Sequence, residues 1–250
     1  MEKDDQFLLS HIEDQFRRSE ARYIPTQTGF LDVRQQSLAA GYCKSIGAQP
    51  HFLGGYEDAE RRVCAFLPDY LDESSFDGIS CVRVQTAAAL PKPLTHRDYL
   101  GALMAMGVKR ETVGDILVRE DGADILVLSE MRSFLCTHFD AAGHARFHAQ
   151  PVKLSEVILP PVHTAFVRDT VPSLRLDCVA SSAFRLSRSA AGEFIDAGRV
   201  FVNGMQIIKR DAKIVEGDKI VIRGKGKAVL KTVGGLSKKG RLFIESEIYL

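Results

Sequence analysis

The sequence predicts an α+β protein of three successive parts, and three observations predict it. Leu176, Val179, Ala180 and Ala183 recur at i, i+3, i+4 and i+7, after which the apolar period changes from helical to two at Val200 and Val202. Residues 78–155 alternate strand-like and helix-like stretches in the order β-α-β-β-α-β. The charge is also divided: from Ser173 to Leu250 there are 15 Lys and Arg against 8 Asp and Glu, a net of +7, leaving −6 for the first 172 residues of a 250-residue chain. The expected organisation is an N-terminal α/β part over 1–75, a middle domain over 76–160, and a basic C-terminal domain over 173–250 with a terminal β-hairpin.

The first part begins as a helix, because Phe7, Leu8, Ile12 and Phe16 hold helical spacing. Tyr23-Ile24-Pro25-Thr26 and Gly29 interrupt it, and Asp32 is placed to cap a second helix through Ser37 to Ala40. After Gly47-Ala48-Gln49-Pro50 the pattern reads as a strand, a glycine turn, a helical step at Glu57 to Arg61, and a strand from Val63 to Leu67. The acidic tract from Asp69 to Asp77 reads as a linker.

In the middle domain, Ile79 to Thr86 reads as a strand and Thr95 to Met106 as a helix capped by Thr95. Asp115 to Arg119 and Ala123 to Leu128 form a hairpin across Glu120-Asp121-Gly122, followed by a helix from Glu130 to Phe139 and a strand from His148 to Leu154. This is the ferredoxin-like order. RNA-recognition domains that share it stack bases on exposed strand aromatics. The candidate strands ISCVRVQT and ADILVLS carry none, so a scaffold or phosphate-contacting role is expected. Asp115, Asp121 and Asp124 are read as solvated hairpin-turn residues.

In the C-terminal domain Ser187 is placed to cap a second helix in which Ala191, Phe194 and Ile195 repeat the apolar spacing, with Gly198 as its left-handed stop. Asn203-Gly204 is a hairpin turn before Met205 to Lys209, and Glu216-Gly217-Asp218 precedes a strand with Ile220 and Ile222 on one face. Val229 to Val233 and Leu242 to Ile248 are expected to pair as a hairpin, with Lys238, Lys239 and Arg241 at its tip. The result is a helix pair on a small sheet, and Arg175, Arg185, Arg188, Arg199, Lys209 and Arg210 would crowd the surface opposite the core. Guanidinium groups so placed neutralise phosphates. Arg223, Lys225 and Lys227 add a basic edge.

Other classes fit poorly. No run approaches the roughly 20 apolar residues of a membrane crossing, the first residues lack a signal pattern, and five cysteines form no Cys-x-x-Cys pair, so a cytoplasmic protein with reduced thiols and no membrane partner is expected. Cys136, His138, His144 and His148 match no zinc spacing, and Cys136 and His138 would point to different sides of a helix. Gly54-Gly55 and Gly224-Lys225-Gly226-Lys227 do not fit a nucleotide-binding loop. Neither a Gly-x-Ser-x-Gly elbow nor a His-Glu-x-x-His helix is present. No metal, cofactor or catalytic residue is therefore assigned.

Arg175-Leu176-Asp177, Ser187-Arg188-Ser189, Phe194-Ile195, Gly198 with Val200, Val202-Asn203-Gly204, Gly217-Asp218-Lys219-Ile220 and Arg223-Gly224 together resemble the S-four (alpha-L) RNA-binding domain. Upstream, Gly29-Phe30-Leu31-Asp32 with Arg34-Gln35-Gln36, Phe52-Leu53-Gly54-Gly55-Tyr56 with Ala59-Glu60-Arg61, His96 to Leu103, Gly107 to Glu111 and Gly114-Asp115-Ile116 extend the likeness. With Leu236-Ser237-Lys238-Lys239-Gly240-Arg241 they resemble the YlmH family of S-four-domain proteins, a threonine being usual where Ser237 stands. The resemblance implies a non-enzymatic protein, expected as a monomer, that binds structured ribosomal or transfer RNA on the large ribosomal subunit in translation or ribosome-associated quality control. The RNA-binding set implied is Arg175, Asp177, Arg185, Ser187, Arg188, Ser189, Arg199, Asn203, Lys209, Arg210, Arg223, Lys225, Lys227, Lys238, Lys239 and Arg241. Two alternatives remain open. One is an RNA-modifying enzyme of the pseudouridine-synthase kind, since those carry an S-four domain beside an Arg-Leu-Asp catalytic motif. The other is a ribosome-docked adaptor linked to cell division, whose acidic front half recruits protein partners.

Overall fold

The computed structural model describes residues 3–86, 93–161 and 164–249. The chain forms two compact units, residues 1–160 and 161–250.

In the first unit, α1 (Lys3–Arg22) turns Leu9 and Ile12 into a core with Leu8 and Phe16 at its margin. Phe7 is instead 77% exposed. Five residues separate it from Ile12, which rotates it about 140° away from that face. The interruption expected after Tyr23 is a strand, β1 (Thr26–Leu31), which pairs antiparallel with β3 (Arg62–Phe66). The other edge of β3 carries β2 (His51–Leu53). Between β1 and β2, α2 (Val33–Ser45) starts at a capping box: the Asp32 carboxylate accepts from Gln35 N at 2.8 Å while Gln35 returns a carbonyl oxygen to Asp32 N at 2.9 Å. The helical step expected over Glu57 to Arg61 is a turn. Tyr56 Oη, Glu60 N and Arg61 N all donate to the Asp115 carboxylate, which satisfies this backbone without helical bonds.

Next come β4 (Ile79–Gln85), α3 (His96–Ala105), β5 (Val113–Arg119), β6 (Gly122–Leu128), α4 (Arg132–His138), the two-residue pair β7 (Ala141–Ala142) and β8 (Ala145–Arg146), and β9 (His148–Val152). The four long strands form an antiparallel sheet in the order β5-β6-β4-β9. Every residue of β6 is buried, which requires a cover on both faces. Val82, Val84, Ile125 and Val127 pack against Tyr99, Leu103, Leu135 and Phe139 of the helical layer. Ile79, Cys81, Leu117, Leu126 and Leu128 pack against Phe30, Val63 and Ala65 of the N-terminal sheet. One core therefore runs through the boundary expected near residue 75.

Asp124 corrects the reading of three solvated aspartates. It is fully buried, and it accepts Arg83 Nε and Nη2 at 2.7 Å each, Arg119 Nη1, and Ile158 N at 2.9 Å. Burial pushes its carboxyl up, but the bonds from Arg83, Ile158 and Arg119 outweigh that and hold it below the usual range. Asp115 is likewise bonded, as above, and Asp121 alone stays at the turn, 3.0 Å from Arg119 Nε.

The second unit opens with β10 (Thr164–Val171), ahead of the start expected at 173. It is the edge of a six-stranded antiparallel sheet, β10-β15-β14-β13-β11-β12, built with β11 (Val200–Val202), β12 (Met205–Gln206), β13 (Lys219–Ile222), β14 (Gly226–Leu236) and β15 (Leu242–Tyr249). On it lie α5 (Leu176–Ala183) and α6 (Arg188–Asp196). Leu176, Val179, Ala180, Ala191 and Ile195 meet Val200, Ile220, Ile222, Leu230 and Ile244 in the core. Gly198 closes α6 at φ +65°, and Asn203 and Gly204 hold φ +49° and +78° in the β11–β12 turn. The strand expected to reach Lys209 stops at Gln206, leaving Ile208 exposed.

Replacing Asp124 by Ala leaves Arg83 with no carboxylate partner among the described residues and Arg119 with Asp121 alone, against a buried sheet. The expected cost is about 3–5 kcal/mol, read from the shift in the urea unfolding midpoint; a change under about 1 kcal/mol contradicts the role given to this carboxylate.

Candidate nucleic-acid interface

The basic residues of the second unit divide by what they touch. One set is tied to carboxylates. Arg175, at the N-cap position of α5, donates through Nε to Asp177 Oδ1 at 3.0 Å, and Arg188, first residue of α6, donates through Nε to Asp177 Oδ2 at 2.8 Å. Asp177 is only 4% exposed. Burial pushes its carboxyl up and the bonds from Arg175 and Arg188 more than reverse this, leaving it depressed. Arg210 pairs with Asp196 through Nε at 2.8 Å and a second nitrogen, and Lys209 lies 3.9 Å from Asp211.

Arg199, Arg223 and Lys225 form a second set with no carboxylate partner among the described residues, and aromatic rings organise it. The Arg199 guanidinium carbon lies 4.8 Å from the Phe194 ring centroid, and Lys225 Nζ lies 5.9 Å from the same ring. Arg223 covers Phe201 at 4.5 Å. Arg199 Nη2 donates to Arg223 O at 2.8 Å, which binds the end of α6 to the β13–β14 turn. Arg199, Arg223 and Lys225 are all exposed, and a cation held over an aromatic face is fixed in place without being neutralised. Lys227 stacks similarly, 4.0 Å from the Tyr249 ring.

The remaining positions separate. Arg185 is exposed at φ +52° between the helices; its N–H donates to Ser182 O at 3.3 Å, and its guanidinium makes no hydrogen bond or ion pair with a described residue. Arg241 donates to Thr170 Oγ1 at 3.0 Å and to Thr170 O; with Arg188, Ser181, Ser182 and Asp169 it lines a shallow cleft of about 230 Å³. Lys238 and Lys239 are exposed on the β14–β15 turn. Ser189 is exposed in the first turn of α6.

Three residues of the expected set have structural work. Ser187 Oγ caps α6 by accepting Ala190 N at 3.1 Å. Asn203 donates through Nδ2 to Asp218 Oδ1 at 2.7 Å and accepts Lys219 N at 3.0 Å, fastening one turn to the next. Asp177 accepts from Arg175 and Arg188 and holds both in position. The structure thus brings together Arg175, Arg188 and Arg241 around the helix N-termini and Arg199, Arg223 and Lys225 around two rings, while Lys238 and Lys239 stand apart on the hairpin. Sequence reading placed Phe194 in the core pattern and Phe201 on an alternating strand. The signal for their stacking role was the arginine or lysine brought beside each by the two turns.

Among the described residues no group of three or more His, Cys, Asp or Glu could hold a metal ion. No helix is long and apolar enough to cross a membrane among those same residues.

Comparison with known proteins finds a family model described as "Putative RNA-binding domain in YlmH" matching residues 79–156, the double-covered middle sheet. The chain is 31% identical over 241 residues to the ribosome-associated protein quality control protein P2 of Bacillus subtilis (strain 168), covering 96% of this chain and 93% of that protein. A solved structure titled cell division protein ylmH from Streptococcus pneumoniae aligns with a TM-score of 0.51 at 22% identity, over 63% of this chain and 97% of that one.

Asp177→Asn tests the strut beneath the helix pair. A carboxyl depressed on folding contributes its full stabilisation above the unfolded value of about 3.9 and loses it as pH falls through the lower folded value. The variant is expected to be less stable than the parent at pH 7, and the gap to narrow below about pH 4. Urea midpoints measured from pH 3 to 7 check this; a gap independent of pH removes the ion pairs as its source.

Proposed function

The chain belongs to the YlmH family, and from that premise we propose that it is a ribosome-associated RNA-binding protein that grips structured RNA through an S-four domain in its second unit. The observation that carries the reading is the carboxylate-free set Arg185, Arg199, Arg223 and Lys225, exposed beside a helix pair. Cations already paired with acids gain little from a phosphate, whereas unpaired ones release counterions on binding. Two α helices on an antiparallel sheet, with Ser187, Gly198 and Asn203-Gly204 in their capping and turning positions, support the S-four assignment. The strand order β5-β6-β4-β9 supports the ferredoxin-like reading of the middle segment.

The partner is then ribosomal or transfer RNA on the large subunit, in the quality-control process named for the Bacillus relative, and the location is the cytoplasm. The three-domain division stands as part of the proposal, with the first two parts fused by a common core and the third extended back to include Thr164–Val171. A non-enzymatic role is supported by Asp177: a carboxylate clasped by two arginines is a strut and not a free acid, base or nucleophile.

Binding of a structured ribosomal RNA fragment is expected to weaken with salt, and Arg199→Gln with Arg223→Gln to reduce the slope of log K against log salt by about 1.5. Arg185→Glu with Lys225→Glu is expected to abolish co-sedimentation with large subunits. Unchanged slope and unchanged co-sedimentation in these variants defeat the surface assignment.

A further inference from the structure

Arg61 and Arg110 reach the same carbonyl oxygen from different stretches of the first unit. Arg61 Nε donates to Val113 O at 3.1 Å and its Nη2 to Phe30 O at 2.7 Å, while Arg110 Nη1 also donates to Val113 O. Two guanidiniums that share one acceptor lie side by side. Neither forms an ion pair with a carboxylate among the described residues, and both are only half-buried. The acids nearest them are engaged elsewhere: Asp115 accepts Tyr56 Oη and two backbone N–H groups, and Asp32 caps α2. Arg61 Nη1 and Arg110 Nε and Nη2 are left with protons and no acceptor among the described residues.

His96, the first residue of α3, stands exposed in the field of the same Arg110 and Asp115, and its imidazole makes no hydrogen bond to a described residue. Partial burial first, and then Arg110, lowers Arg61 to about 10 against the pull of Asp32 and Asp115, and partial burial followed by Arg110 lowers His96 against the pull of Asp115. A strap for Phe30 O and Val113 O needs one guanidinium. A second, brought against the first at a Coulombic cost, needs another reason.

We infer that Arg61 and Arg110 form a cradle on the first unit for one phosphate group, with His96 as a reporter in the field of Arg110. Two guanidiniums fixed on one carbonyl oxygen from separate segments of chain match the several oxygens of a phosphate better than the two of a carboxylate, and each keeps N–H groups that its carbonyl bonds leave unused. These residues come from motif stretches of the sequence that the surface of the second unit leaves unexplained. The cradle is independent of that surface, and in an RNA-binding chain it adds a phosphate contact on the other unit.

The test uses the full chain and follows the His96 imidazole by NMR, assigned through its loss in His96→Gln. Inorganic phosphate is expected to raise the apparent His96 pKa by about one unit, as an opposite charge at close range does, while chloride at equal ionic strength leaves it unmoved. Arg110→Gln is expected to abolish the rise. His96→Gln, at an exposed side chain, keeps the fold and is expected to leave the ³¹P line broadening of phosphate in place, whereas Arg110→Gln is expected to remove it. Oligouridylate without a terminal phosphate, if it raises His96 too, identifies a backbone phosphodiester as the source; a response only to the 5′-phosphorylated oligomer identifies a terminal phosphate. The rise is expected to persist in Arg199→Gln with Arg223→Gln, so this site and the second unit's surface stand or fall separately. No phosphate-specific rise over chloride, or a rise that survives Arg110→Gln, overturns the inference.

Discussion

The centre of the middle sheet, β6, is buried on both faces, and the division of labour in the molecule follows from that. A strand such as β6, with no exposed residue, has no surface to offer a ligand. Its apolar side chains demand helices on one side and the N-terminal sheet on the other. Where that second layer gives out, Asp124 with Arg83 and Arg119 fills the face with a saturated ionic cluster, and the Ile158 amide closes over it. A β-α-β-β-α-β domain used for base stacking keeps this face open and aromatic. Here it is spent on folding, which leaves loops, edges and the second unit as the surfaces open to a partner.

Much of the second unit was legible because its signals are local. Helical spacing from Leu176 to Ala183, the Ser187 cap, the Gly198 stop and the Asn203-Gly204 turn each depend on residues a few positions apart, and each stands where expected. What escaped depends on distant partners. Thr164–Val171 alternates poorly because it is an edge strand, and the strand that pairs with it begins at Leu242. Thr26–Leu31 is too polar to read as a strand until β3 lies beside it. The aspartates were misread for the same reason. Asp124 and Asp115 sit near a hairpin in sequence, and only the fold delivers Arg83, Tyr56 and the Glu60 and Arg61 amides to them.

The candidate interface shows the same limit at finer scale. Counting lysines and arginines identified the unit that carries positive charge, but not which charges are available. Asp177, Asp196 and Asp211 each occupy a cation that composition alone would assign to RNA. Pairing preserves geometry at the cost of affinity, since a paired guanidinium must exchange one anion for another. Arg199 and Arg223 avoid this by resting on aromatic rings, which hold a cation in place without neutralising it. Position without neutralisation is the property a phosphate-binding surface needs.

The acidic balance of the first 172 residues does not oppose a phosphate site there, because net charge and local field act over different distances. In physiological salt the Debye length is about 8 Å. Acidic side chains spread over the unit discourage loose association with RNA at long range, yet at contact their influence is screened. Within a few ångström the field is set by the nearest groups, and around Val113 O those are two guanidiniums whose neighbouring carboxylates are already bonded to the Tyr56 hydroxyl and to backbone amides. A unit that is repulsive from afar and attractive at one half-buried point rejects unstructured polyanions and admits a phosphate presented in a fixed position. That is selectivity by geometry, and it requires no base to be read.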